Sequence, residues 1–227
     1  NLEAAARALA ATIAWRNEVR PARLECSNCQ RDPHSHNLRA VGIDAQGRPV
    51  LYTCFSQAMN RFDCEASLQH ITRALEDACE VMSQRALRLG APAAEQCAWV
   101  VDFHGYSFLK DSNPRTAVMT GRLLAHYPER LGRAVLVDAP RVFAGTWSAA
   151  RQVINPATAS KVVFVRSDDG SLEAELGRWA DPPLRAWLRA EMGENREASF
   201  QNGEKAYWAP PQLGSQQQEH DPRGGGR

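Results

Sequence analysis

Three short apolar runs, VVDF at Val100–Phe103, AVLVDAP at Ala134–Pro140 and KVVFV at Lys161–Val165, decide the fold of this 227-residue chain. Each is β-branched and bounded by turn residues, and the stretches between them carry helical rather than alternating patterns. Strands separated by helices pair in parallel, because a parallel connection needs a crossover of a dozen or more residues. The expected fold class is therefore α/β, with a mostly parallel sheet and flanking helices.

Working backward from VVDF, Leu68, Ile71, Leu75, Ala78 and Met82 recur at helical spacing, and Gly90 follows as a stop, so a long helix is expected over about Asp63 to Leu89. Upstream of it, Leu38–Ile43 and Val50–Phe55 are β-prone, and the intervening DAQGRP has the Asp, Gly and Pro of a tight connection. Cys26–His36 is polar, aperiodic and interrupted by Pro33, which reads as a loop. Leu2, Leu9, Ile13 and Trp15 lie near one stripe of an Ala-rich helix that stops before Pro21. Between VVDF and AVLVDAP, Asn113 as N-cap and Pro114 at the first helical position open a helix that carries Val118, Leu124 and Tyr127 into the YPERLG turn. Beyond Val165 two short helices are expected, around Leu172–Trp179 and Leu184–Met192, with Trp179 and Trp187 as packing residues.

The turn HYPERLG (His126–Gly132), the apolar helix after AVLVDAP and the segment NPATASK (Asn155–Lys161), in this order and spacing, resemble the CRAL-TRIO family. DAQGRPV (Asp44–Val50) resembles that family's opening signature, and AWRNEV (Ala14–Val19) the last helix of its N-terminal helical unit. The resemblance implies a domain that encloses one lipophilic molecule and exchanges or presents it at membranes, with no covalent step. It implies the following organisation: residues 1–20 a remnant of the N-terminal helical unit, 38–195 the lipid-binding domain, and 209–227 a disordered tail rich in Pro, Gln and Gly.

The same resemblance assigns site residues. Glu129, Thr158 and Lys161 correspond to the residues that contact the inositol-lipid head group in the phosphatidylinositol transfer members, which makes phosphatidylinositol the leading ligand. Val142, Phe143 and Trp147 fall on the helix that gates the cavity in the family. Read from the residues alone, Lys161 is a cation answering a helix C-terminus, Glu129 a surface ion-pair partner, and the apolar trio a finished core. Leu51, Cys97 and Trp99 depart from the pattern of the phosphatidylcholine-binding members and argue against a choline lipid. A second reading is a lipid-sensing adaptor domain within a larger signalling or trafficking protein.

Other chemistries find little. His104, Ser107 and Asp138 could be arranged as a hydrolase, but HGYS lacks the G-x-S-x-G elbow and no Gly-rich phosphate loop is present. Asp102 and Asp138 at the strand ends read as turn caps. Cys26-x-x-Cys29 with His34 and His36 has zinc ligand types, but the two histidines stand too close together for finger spacing, so neither metal nor cofactor is expected. A net charge of +1 and the lack of any run interleaving aromatic and basic residues exclude a nucleic-acid partner. Six scattered cysteines in a chain of this size favour a reducing, cytoplasmic setting, to which the family resemblance adds transient membrane association. The first residue is Asn1 rather than Met, which suggests a segment of something longer.

Overall fold

Each strand of the sheet lies beside its predecessor in the chain, in the order β1 (Arg39–Ile43), β2 (Pro49–Cys54), β3 (Cys97–Asp102), β4 (Leu131–Val137) and β5 (Val162–Val165). β1 and β2 pair antiparallel as a hairpin, and the three later pairings are parallel. The mostly parallel sheet read from the sequence is thus the sheet observed. In this computed structural model the described residues are 2–32, 35–58, 62–90, 94–107, 114–143, 147 and 156–197. The expected N-cap Asn113, His34 and the tail at 209–227 lie outside them.

A sequential strand order has a consequence for the helices. Parallel crossovers are right-handed, so crossovers that all step the same way along a sheet lie on one face of it. α3 (Cys64–Leu89), α4 (Pro114–Leu124) and the short α5 (Pro156–Ala159) are those crossover helices. Leu75 and Ala78 of α3 and Leu123 of α4 pack with Leu51 and Cys97 of the strands. Asp63 caps α3 by accepting the Ala66 amide at 3.1 Å, and Gly90 ends it in the left-handed conformation at φ 60°, as the sequence predicts.

The opposite face is covered by the C-terminal helices α6 (Ser171–Leu176) and α7 (Pro182–Glu194). Tyr52, Val100, Val135 and Val137 from the strands meet Leu176 and Leu188 there, all with no measurable exposure. Full burial of such side chains contributes on the order of 1.5–3 kcal/mol each, which makes this the dry side of the molecule. Gly42 of β1 is required for that packing, because a Cβ there would lie 2.9 Å from Leu184 Cδ1.

One local expectation is corrected. The polar stretch after Pro21 is not all loop: Ser27–Arg31 forms a helical turn and a half, α2, too short to show any periodicity. Val118 is 55 % exposed, because the buried face of α4 is set by Leu123, five positions and more than a full turn further on. α1 (Leu2–Val19) buries no residue and leaves Leu2, Leu9 and Ile13 exposed. It is attached through Trp15, stacked on His126 at 4.5 Å between ring centroids, and through Arg16, paired with Glu76 of α3.

The hairpin turn is built by a single carboxylate. Asp44 Oδ1 accepts the backbone amides of Gln46 and Arg48, both at 2.9 Å, while Arg48 Nε donates to Oδ2 at 2.6 Å. Gly47 supplies the left-handed residue that the turn needs, at φ 81°. The Asp44 side chain has no exposure and that of Arg48 is 11 % exposed, so removing the acid strands a buried cation. Asp44→Ala is expected to lower unfolding free energy by about 3 kcal/mol, and Asp44→Asn by less, in urea denaturation.

Candidate functional site

Ligands of parallel sheets gather beyond the carboxyl ends of the strands, where Asp102 and Asp138 stand. Here that position is filled by a side-chain clamp. Arg196, past the end of α7, donates from Nη1 and Nη2 to Asp102 at 2.8 and 3.1 Å, and from Nη2 to Asp138 at 2.8 Å. Tyr52 adds its hydroxyl to Asp102 at 3.2 Å, and Ser167 gives Asp138 both its amide and its hydroxyl, at 2.9 and 2.6 Å. Burial pushes the Asp138 carboxyl up, but Ser167 and Arg196 outweigh it and hold the group below its ordinary 3.8. Arg196 is raised: burial opposes its charge, and the two aspartates more than restore it. Both acids are therefore structural, and Asp138 is engaged by Ser167 and Arg196 rather than by His104.

A cavity of about 340 Å³ opens instead at the amino ends of β4 and β5, on the crossover face. Glu129, Thr158 and Lys161 all line it, together with apolar groups of Leu75, Trp99 and Leu124. The three polar residues come from two segments that adjacent strands bring together: Glu129 two residues before β4, and Thr158 of α5 with Lys161 just before β5. Lys161 Nζ stands 3.4 Å from Glu129 Oε2, with the two side chains 21 % and 87 % exposed. An ion pair that open contributes no more than about 1 kcal/mol, so either partner can be given up to an incoming ligand. Burial pushes the Cys97 thiol in the cavity wall up to about 11 and keeps it neutral. Trp99 Nε1 is buried and makes no hydrogen bond among the described residues. A larger depression, about 520 Å³ between Arg16, Arg20 and Arg23, is an open surface trough without apolar walls of any depth.

The turn carrying Glu129 is fixed from behind. Tyr127 is buried and donates its hydroxyl to Glu76 of α3 at 2.8 Å; Arg16 of α1 donates to both oxygens of the same carboxylate at 3.0 and 2.9 Å. Burial and then the bond to Glu76 raise the phenol above its usual value. The Arg130 amide closes the turn on Tyr127 O at 3.3 Å, leaving Glu129 at φ 58°. A glutamate in that region carries about 1–2 kcal/mol of steric strain.

The expected gate residues divide by what they face. Phe143 and Trp147 face the sheet: Phe143 lies 4.9 Å from Phe103, and Trp147 6.3 Å from Phe164. Val142 is 46 % exposed. Phe55, Phe103 and Tyr106, which the sequence reading passed over, complete an aromatic group with mutual distances of 4.9–5.2 Å. Phe103 sits four residues beyond Trp99 on one strand, roughly 13 Å along the sheet. Trp99, Val101, Ala134, Val162 and Phe164 lie between cavity and aromatics and are half-buried.

A second constellation lies away from this cavity. Cys26 and Cys29 of the α2 turn, His36 ahead of β1 and His70 of α3 place their ligand atoms within 4.8 Å of one another. Burial raises the Cys29 thiol to about 12 and, with His36 close by, lowers His70 to about 4. The sequence grouped His36 with His34, which falls outside the described residues, and missed His70.

Comparison with known proteins gives a consistent result. A family model described as the CRAL/TRIO domain matches residues 37–178. The chain is similar to a CRAL-TRIO domain-containing protein of Schizosaccharomyces pombe, 28% identical over 176 residues that make up 74% of this chain and 38% of that protein. It is also similar to the phosphatidylinositol transfer protein CSR1 of Eremothecium gossypii, 24% identical over 128 residues, 56% of this chain and 27% of that protein. The chain thus spans well under half the length of these curated relatives. The crystal structure of Sfh5 shares the fold, with a TM-score of 0.56 at 18% identity over 74% of this chain and 60% of that one.

Two outcomes follow from this geometry. Glu129→Gly should relieve the left-handed strain and raise unfolding free energy by roughly 0.5–1 kcal/mol, a sign opposite to most substitutions. Asp138 is depressed in the fold, so its stabilisation is complete above pH 3.8 and fades as the pH falls below that value. Asp138→Asn should therefore be less stable at neutral pH and show a shallower loss on acidification below 3.8, read by denaturation across a pH series.

Proposed function

The chain belongs to the CRAL/TRIO domain family, whose members bind and transfer lipids, and from that premise we propose that it binds phosphatidylinositol and exchanges or presents it at membranes. The observation that carries this reading is the meeting of Glu129, Thr158 and Lys161 in one cavity whose other walls are apolar. The lipid-binding unit is assigned to residues 38–195, which the family match over 37–178 supports.

In this reading Lys161 leaves Glu129 and turns its ammonium to the lipid phosphate, with the Thr158 hydroxyl donating beside it. Glu129, freed, accepts hydrogen bonds from inositol hydroxyls. A cavity of about 340 Å³ is of head-group size and too small for a whole two-chain lipid, so the acyl chains run along the sheet past Trp99 and Val101 toward Phe103. They need that shelter: exposing a chain of about 16 carbons to water costs on the order of 12 kcal/mol at about 0.8 kcal/mol per methylene. Phe143 and Trp147 lie across that path and act as the gate. Exposed Val142 beside Arg141 offers an apolar group and a cation to a bilayer surface, which makes the membrane contact local and transient. Among the described residues no helix is long and apolar enough to cross a membrane. The Eremothecium relative is named a phosphatidylinositol transfer protein, which supports the same reading.

A second reading, a lipid sensor within a larger protein, draws on the relatives, of which the chain spans 38% or less. Vesicle assays separate the two, since a sensor binds labelled lipid without delivering it. Delipidated protein should extract phosphatidylinositol from mixed vesicles in preference to phosphatidylcholine. Lys161→Ala removes a charge-assisted bond worth about 1.5–3 kcal/mol and should cut inositol-lipid binding roughly 10- to 100-fold with an unchanged circular dichroism spectrum. Equal extraction by wild type and variant overturns the assignment.

A further inference from the structure

We infer that Cys26, Cys29, His36 and His70 form a closed, four-ligand zinc site that ties the segment ahead of the sheet to the long helix α3. Neither the lipid reading nor the comparisons bear on it. His36 Nδ1 lies 3.5 Å from Cys26 Sγ and 3.4 Å from Cys29 Sγ, and His70 Nδ1 lies 3.4 Å from Cys29 Sγ. With zinc bonds of about 2.3 Å to sulfur and 2.0–2.1 Å to nitrogen, the sulfur-to-nitrogen edge of a tetrahedron is roughly 3.6 Å. Three of the four sulfur-to-nitrogen edges already stand close to that spacing, and all four ligand atoms lie within 4.8 Å of one another.

The outer contacts aim the imidazoles. His70 Nε2 is 2.7 Å from the Leu38 carbonyl, which can only accept, so the proton sits on Nε2 and the Nδ1 lone pair is left toward the sulfurs. His36 Nε2 is 3.4 Å from Ser67 Oγ, a hydroxyl able to accept the Nε2 proton when Nδ1 turns its lone pair to a metal. The loop supplying the cysteines is itself held, by Asn28 Nδ2 to Asp63 Oδ2 at 3.2 Å and by the Ser27 amide to Gln69 Oε1 at 3.1 Å. All the described cysteines are free, so no disulfide occupies the sulfurs.

Ligand chemistry selects the metal. Two thiolates and two imidazoles are too soft for magnesium or calcium; a two-iron cluster would hold the sulfur pair and the nitrogen pair apart on separate irons, whereas here all four ligand atoms lie within 4.8 Å of one another, which suits a single zinc. Zn²⁺ entering with loss of both thiol protons leaves a neutral complex, which tolerates a buried setting. With all four positions taken by protein the site is structural rather than catalytic. His70 is what the sequence spacing could not supply: Cys26, Cys29 and His36 come from one stretch, and the fourth ligand arrives from a helix 34 residues further on.

The test uses the whole chain, purified without an affinity tag, reduced, stripped with chelator and titrated with zinc. About one zinc per chain is expected by elemental analysis. Cobalt in its place should give the visible bands of a tetrahedral ion together with a thiolate charge-transfer band. Zinc should protect Cys26 and Cys29 from alkylation while half-buried Cys64 on α3 stays reactive. Cys29→Ser and His70→Gln should each weaken zinc binding at least tenfold, and chelator should lower the melting temperature of the wild type but of neither variant. Failure of the reduced wild type to take up zinc, an octahedral cobalt spectrum, or identical cobalt bands in wild type and variants overturns the proposal. If the variants do not fold, the cobalt spectrum and the alkylation pattern of the wild type decide it.

Discussion

A parallel sheet carries apolar side chains on both faces, and each face must be covered by something. In this chain the two faces are covered by different means. The C-terminal helices α6 and α7 seal one, down to residues with no exposure at all. The other receives the crossover helices, and the right-handed rule puts all of them there. α3 and α4 cover β1 to β3, while the strip from Trp99 to Phe164 toward β5 stays half-buried. A lipid-binding domain needs an apolar surface that its own side chains do not finish, and the sequential strand order supplies one.

The same asymmetry decides which end of the sheet is used. At the carboxyl ends of the strands Arg196 bridges Asp102 and Asp138, and a guanidinium committed to two carboxylates locks α7 onto β3 and β4. That clamp turns the customary ligand position into a structural joint. At the amino ends of β4 and β5 the side chains of the two segments meet in the solvent-facing pair of Glu129 and Lys161. The polar groups that are free to exchange partners stand at the loosely held end, and those that cannot exchange stand at the rigid one.

Legibility in the sequence followed the range of the interactions. The strands, the hairpin at DAQGRP and the capped helix α3 rest on neighbours in the chain, and periodicity and turn chemistry reveal them. The alignment of Glu129 with Lys161 depends on β4 lying beside β5; spacing alone read Lys161 as a cation at a helix C-terminus and Glu129 as the ion-pair partner of a nearby arginine, and the family pattern was needed to join them. Arg196 was invisible for the same reason: its partners are 94 and 58 residues away, and nothing near it in the chain suggests a clamp. His70 left a trace that could have been followed. It lies on the inward stripe of α3 with Ser67 and Ala74, where an imidazole is out of place unless something answers it.

Glu129 holds a backbone shape that favours glycine, and in the genetic code a single base change converts a glutamate codon into a glycine codon. Random drift therefore has an easy downhill route away from the carboxylate, toward a better-folded chain. A lineage that keeps the acid does so against that slope. The residue found at this turn in each descendant is thus a record of whether selection there has acted on the ligand or on the scaffold.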